Sequence, residues 1–320
     1  MNKNAKPRQK KYFLSKLTNK GLWFIYIFYI LAFLAFLYSP LILTSILAFN
    51  DSNIPSLPWR GFTLDWFYNP DYGIAESSGT GAGQIGMGAA SGRMGVFNDV
   101  NMMRSIKNSL IVATAVTALS LFVGTTTAFL FERQRFRGDS SLYFTMMAPL
   151  VIPGVILGVS ILSFGNALVG PLRLVLGTEG ARPIVTLLRP GLFIVVLGQF
   201  CFIGTMATMI ISARLRRFPI EQEQAAMDLG ANRIRAIFGV TIPYLTPALL
   251  SAGIISFLMS FENFGTTLFL IGSDPTLPIL FFSRLRFSIS PSINAVSVIL
   301  MLGTVLFSGV TMGLGRLRGR

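Results

Sequence analysis

Six stretches of this chain, residues 21–50, 108–131, 140–172, 190–213, 236–261 and 287–315, contain no Asp, Glu, Lys or Arg. Each is longer than the roughly 18 apolar residues that mark a transmembrane helix. Short polar islands separate them. The pattern predicts an all-α integral membrane protein with six spans, at about 22–48, 106–131, 142–164, 192–213, 247–272 and 291–313. It divides the chain into a tail (1–20), a first span (21–48), a loop (49–104), a five-helix core (105–313) holding a polar loop at 214–246, and a second tail (314–320).

Composition points the same way. Hydrophobic residues make up 52% of the 320 and charged ones 12%, well under the roughly 25% of a soluble domain. The net charge of +14 raises the question of nucleic acid, but its placement answers it. Lys3, Lys6, Arg8, Lys10, Lys11, Lys16 and Lys20 precede the first span. Arg133, Arg135, Arg137, Arg214, Arg216, Arg217, Arg233, Arg235, Arg316, Arg318 and Arg320 fall on the same side if the spans alternate, 18 of the 27 Lys and Arg in all. The positive-inside rule makes that side, and with it both termini, cytoplasmic. Aromatic or groove-reading context for a nucleic acid is missing. The charge reports topology.

Chemistry is narrowed by what the sequence lacks. It has no His and one Cys, Cys201, so neither His-based acid–base or metal chemistry nor an intrachain disulfide is available. No catalytic residue and no metal ligand set is expected. The first apolar run is too long for a signal-peptide core and lacks a clear small-x-small cleavage site, so it reads as a retained span.

The polar island from Glu221 to Pro247 reads EQEQAAMDLGANRIRAIFGVTIPYLTP. Ala225 to Leu229 suit a helix, Glu221 and Glu223 suit its N-terminus, and Gly230 stands where a helix stop wants positive φ. Ile234, Ile237, Phe238 and Val240 predict a second short helix, closed by Thr241 to Pro247 with its two prolines.

Q-A-A-x-x-x-G followed by I-P thirteen residues after the glycine resembles the "E-A-A, then glycine, then I-x-L-P" loop of binding-protein-dependent ABC importer permeases. In that family the loop carries coupling helices between spans four and five and docks on a cytoplasmic ATPase. The resemblance implies coupling roles for Glu223, Gln224, Ala225, Ala226, Asp228, Gly230 and Pro243. Gln224 replaces the family's glutamate, with Glu223 one residue earlier, and Ile242 stands for its leucine. Gln keeps hydrogen bonding but loses the charge.

The partners implied are an ATPase dimer, a second permease subunit (identical or related), a soluble binding protein and the lipid bilayer of a bacterial inner membrane. With no Walker-type loop here, no cofactor is expected on this chain, and ATP and Mg belong to the ATPase. The chain is then a transport subunit rather than an enzyme.

Elsewhere, Trp23, Tyr26 and Tyr29 form an aromatic belt on span one, and Pro40 predicts a kink. After a proline-bearing stretch, Pro55 to Pro58, residues Trp59, Phe62, Leu64, Trp66 and Phe67 carry enough apolar surface for a small ordered element packed on the membrane face. Residues 73–95 hold eight glycines in 23 residues and read as a flexible insertion. Pro149, Pro153, Gly154 and Gly158 predict a broken helix in span three. Residues 165–191 read as an external loop with room for a short re-entrant or surface helix.

Glu262, in FLMSFENFGTTLFLIG, is the acidic residue deepest in a span. An ionisable group there faces a cavity, a cationic ligand or a charged partner. Asn263 points about 100° away on a helix. Gln199 in span four and Asn294 in span six complete the candidate substrate path. The S-P-x-x-N-A start of span six (Ser290 to Ala295) and Glu262-Asn263 resemble the spermidine/putrescine-type branch of these permeases, over about residues 105–313. Iron and phosphonate carriers belong to the wider family. A gradient-driven secondary transporter would call for internal repeats and several intramembrane carboxylates. A membrane enzyme would call for a catalytic constellation that these residue types do not supply.

Overall fold

The computed structural model describes the backbone of residues 7–69, 95–134, 137–287 and 291–318. The glycine-rich insert up to Met94, Arg135, Ser290, Arg320 and the first six residues of the basic tail lie outside the described residues. Those described are helical apart from linkers and one isolated bridge, Asn50 to Phe62. Two compact units emerge, one from residues 1–99 with 288–320 and one from residues 100–287.

The first unit holds α1 (Pro7–Leu47) and α11 (Pro291–Arg318). Helix α1 begins inside the basic tail, and it runs on through Pro40. Proline leaves the carbonyl four residues back without its partner. Ser39 Oγ donates to that carbonyl, Phe36 O, at 3.0 Å, so the helix continues. Beyond α1, Asn50 ties down a small ordered element. Its side chain donates to Ser56 O and accepts from Arg60 N, and Trp66 Nε1 donates to Asn50 O at 3.0 Å.

The second unit is built from α2 (Val100–Arg133), α3 (Asp139–Val151), α4 (Gly154–Leu188), α5 (Leu192–Leu215), α6 (Glu221–Asp228), α7 (Arg233–Ala236), α8 (Ile242–Phe261), α9 (Thr267–Leu270) and α10 (Leu277–Phe287). Its centre is the three-way packing of α2, α5 and α8. Two buried clusters fill it: Ala128, Ala207, Ile211, Leu215, Phe218, Leu245 and Ala252, then Val112, Val116, Ile194, Val195, Ile203 and Leu270. Lipid is as apolar as these side chains, so close approach rather than water exclusion holds such helices together. A Cβ on Gly124 of α2 would sit 3.1 Å from Thr208 N of α5. That spacing sets how closely the two helices can pack.

Five helical stretches are long and apolar enough to cross a membrane: Leu22–Leu47, Val100–Arg133, Gly154–Leu188, Leu192–Leu215 and Arg233–Phe261. Pro291–Leu306 is a shorter apolar helix within α11.

Three expectations need correction. Span three is interrupted at Ile152-Pro153, as its prolines suggested, but α4 then continues to Leu188 through residues read as a loop. Its apolar run persists past Pro171, and the chain turns inside it at Gly177 (φ 73°, ψ 170°). Span five stops early. Helix α8 ends at Phe261, and Asn263 Oδ1 accepts from Thr267 N and from Thr267 Oγ1, a side-chain bond that competes with continuing the helix. The loop expected at 273–290 contains α10. Its first turn is held to α2, where Ser109 Oγ accepts from Leu277 N at 2.8 Å and Asn108 Nδ2 donates to Pro275 O.

Candidate coupling site and helix breaks

The Glu221 island folds into a knob. Helix α6 has Glu221 and Glu223 in its first turn, where the exposed N–H groups favour negative charge. It ends with Ala231 N donating to Ala226 O and Gly230 N to Met227 O. Gly230 has φ +94°, a conformation in which only glycine avoids a Cβ penalty. Asn232 then caps α7, its Oδ1 accepting from Arg235 N at 2.8 Å.

From there the structure departs from the expected pair of short helices. Helix α7 passes through a π turn (Ile237–Thr241) directly into α8, where Ile242 N donates to Ile237 O. In a straight α-helix the ring of Pro243 would press on the carbonyl of Gly239. The widened turn falls where that conflict would arise. Pro243 therefore sits at the start of α8 rather than ending a separate helix.

Gln224, Ala225, Asp228, Gly230 and Pro243 are exposed and Ala226 is half-buried. Leu229 is 91% exposed, with Ile234 and Phe238 also open. Glu223 behaves differently. Its Oε1 accepts from Thr241 Oγ1 at 2.5 Å, and its Oε2 lies 3.5 Å from Arg133 Nη2 at the end of α2. Both charged side chains are 14% exposed, and Thr241 is fully buried. The Arg133 guanidinium lies 5.3 Å from the Phe218 ring centre, and Arg214 sits 4.3 Å from that of Tyr244.

Next to Arg133, Glu132 takes Arg216 with two nitrogens, at 2.7 Å from Nη2 and 3.1–3.2 Å from Nε. Those bonds raise the Arg216 pKa above its ordinary value. Sequence reasoning missed Arg133 and Thr241 as partners of Glu223, because their closeness to it depends on how α2 and α8 pack. A groove of about 510 Å³ opens beside them, bounded by Thr125, Phe129, Arg133, Ile237 and Phe238 among others.

A second cluster lies where two interrupted helices meet. The start of α4 packs on the α8–α9 break. A Cβ on Gly158 would come 2.7 Å from Thr266 O, and one on Gly154 would come 3.1 Å from Thr266 Oγ1. Behind it, Gln199 of α5 is 1% exposed. Ser260 Oγ donates to its Oε1 at 2.5 Å, and its Nε2 donates to Thr267 Oγ1 at 2.8 Å. Gln199 and Asn263 thus join one sealed network. Glu262 caps the end of α8 and is exposed, without an ion pair among the described residues. Asn294 lies half-buried in the first turn of α11, in the other unit.

Broken helices whose irregular backbone is covered by neighbouring protein are the kind of interruption that a membrane-spanning fold tolerates. Comparisons with known proteins agree. No family model matches the chain. The putrescine transport system permease protein PotI of Escherichia coli K12 is 30% identical over 272 residues, 84% of this chain and 83% of that protein. The spermidine/putrescine transport system permease protein PotC of Haemophilus influenzae is 24% identical over 83% of this chain and 87% of that protein. A probable molybdenum ABC transporter permease of Haloferax volcanii is 30% identical over 58% of this chain and 64% of its own length.

In fold, a bacterial ABC transporter involved in importing the acidic polysaccharide alginate aligns with a TM-score of 0.54 over 97% of this chain and 99% of its own, at 14% identity. The chain belongs to the family of ABC importer permease subunits, in its spermidine/putrescine-type branch.

Proposed function

We propose that this permease forms half of the pore of an ATP-driven importer for a polyamine delivered by a soluble binding protein. The observation that carries the reading is the knob at 221–236. It presents Leu229 and Ile234 outward on a rigid helix–glycine–helix frame, and helix-in-groove docking is a recurrent way of gripping such a surface. Its partner is a cytoplasmic ATPase dimer that holds ATP and Mg. The pore closes around a second permease subunit in the bacterial inner membrane.

Six spans, with α3–α4 as the third and α11 as the sixth, put both termini and the knob in the cytoplasm, in keeping with the distribution of Lys and Arg. Glu262 is the residue for a cationic cargo. It ends a broken helix with its carboxylate unpaired among the described residues, and half-helix ends are where transporters hold charge.

The test is uptake of labelled putrescine by proteoliposomes containing the permease pair, the ATPase and the binding protein. Uptake is expected to require hydrolysable nucleotide. Uptake driven by an ion gradient without nucleotide would refute the reading. The similarity to a molybdenum permease favours one competing cargo class, oxyanions. Molybdate uptake that putrescine fails to inhibit would select it.

A further inference from the structure

We propose that Glu223 is a positioning residue that clamps the docking helix to two spans at once, so that movement of α6 is delivered to α2 and α8 together. The inference rests on the reading of α6 as the docking element and extends it inward, away from the surface that meets the partner.

Three observations carry it. Glu223 is the acidic residue of α6 that turns inward, whereas Glu221, Gln224 and Asp228 face out. One oxygen of its carboxylate takes the hydroxyl of Thr241, at the π turn leading into α8, and the other faces Arg133 in the last turn of α2. Among the described residues Arg133 pairs with no other carboxylate; its 3.5 Å contact with Glu223 is an ion pair without a hydrogen bond, and neither its buried Nε nor its Nη2 finds an acceptor. If α6 moved off alone, that cation would be left unpaired in an enclosed setting. Such a loss opposes separation strongly.

The π turn supplies the geometry. By adding a residue to the turn it rotates Thr241 relative to α8, and such single-turn bulges recur at functional sites in helices. The hydroxyl then meets Glu223 instead of bonding back to its own helix, as Thr246 does with Ile242 O. The neighbouring Glu132–Arg216 pair fixes the end of α2 to the end of α5. A push on α6 therefore meets a joined base rather than three separate helix ends. Gln224, where the resemblance to the family's motif would place a glutamate, is exposed and remains free for the partner's surface.

The test uses the complete transporter in proteoliposomes, comparing Glu223→Gln, Thr241→Val and the exchange Glu223→Arg with Arg133→Glu. Two readouts are needed. One is substrate moved per ATP hydrolysed. The other is disulfide cross-linking of Ala225→Cys to a cysteine in the ATPase groove, which reports docking alone.

The clamp predicts intact cross-linking, with transport per ATP reduced roughly three- to thirty-fold in Glu223→Gln. Thr241→Val should lose less, and the exchange should recover most of the loss. Should Glu223→Gln assemble poorly, Thr241→Val carries the same test. Normal transport per ATP in both single variants overturns the clamp. Loss of the cross-link in the variants overturns it too, since Glu223 would then only shape the docking surface. A complex with Ala225→Cys as the sole substitution in this chain that never cross-links overturns the docking reading itself.

Discussion

A Cβ placed on Gly158 would lie 2.7 Å from the carbonyl oxygen of Thr266, so two interrupted helices touch backbone to backbone. The obstacle at Gly154 is a different atom, Thr266 Oγ1 at 3.1 Å. Substituting Gly158 with Ala should destabilise the folded permease by about 1–3 kcal/mol, the usual range for overpacking. Gly154→Ala should cost less. Thr266→Ala should relieve Gly154→Ala but not Gly158→Ala, because only the former meets a side chain. Thermal unfolding in detergent of the three single and two double variants checks this ordering. Rescue of both would show that the backbone contact can yield.

Gln199 bonds Ser260 and Thr267 in a sealed site, so its role is structural in this conformation. Gln199→Leu should lower stability by about 1–2 kcal/mol by leaving the Ser260 hydroxyl without a partner and taking one of the two bonds made by Thr267 Oγ1. Half-saturation of uptake by the cargo should not change. A selective rise in that concentration, with stability intact, would return Gln199 to the cargo path.

Glu262 is exposed and unpaired among the described residues, and Glu262→Gln should leave stability within about 0.5 kcal/mol of the parent. Uptake of a dication should fall while nucleotide hydrolysis by the complex persists. Equal uptake by the Gln variant would assign the carboxylate to contact with the second permease instead.

Gly230 has open space where a Cβ would stand, and its constraint is the positive φ alone. Gly230→Asn should retain most transport and Gly230→Val should lose it, since Asn tolerates the left-handed region and β-branched residues do not. Uptake assays with an expression control decide between this and a steric requirement for glycine.

Much of this was legible in the chain. Charge-free runs marked the five helices long and apolar enough to cross a membrane, Ala225 to Gly230 marked the end of a short helix, and Pro153 marked a break. What escaped has a physical cause in each case. The stop after Phe261 depends on Asn263 capping Thr267, inside a run whose hydropathy is continuous. The join of α7 to α8 depends on a π turn that local propensity does not announce. Arg133 and Thr241 lie 90 and 18 positions from Glu223, and only packing brings them to it. The motif singles out Glu223 as a coupling residue, whereas its inward orientation follows from the packing of α6 on α2 and α8.

Helix α1 leaves nearly every side chain from Leu22 to Leu43 uncovered, including Trp23, Phe28, Phe33 and Phe36. Where neighbours impose no shape, evolution can reshuffle greasy letters at almost no penalty, so this segment should drift quickly among orthologues while keeping its reach. Only an intruding charge, or shortening by a turn or more, should be purged.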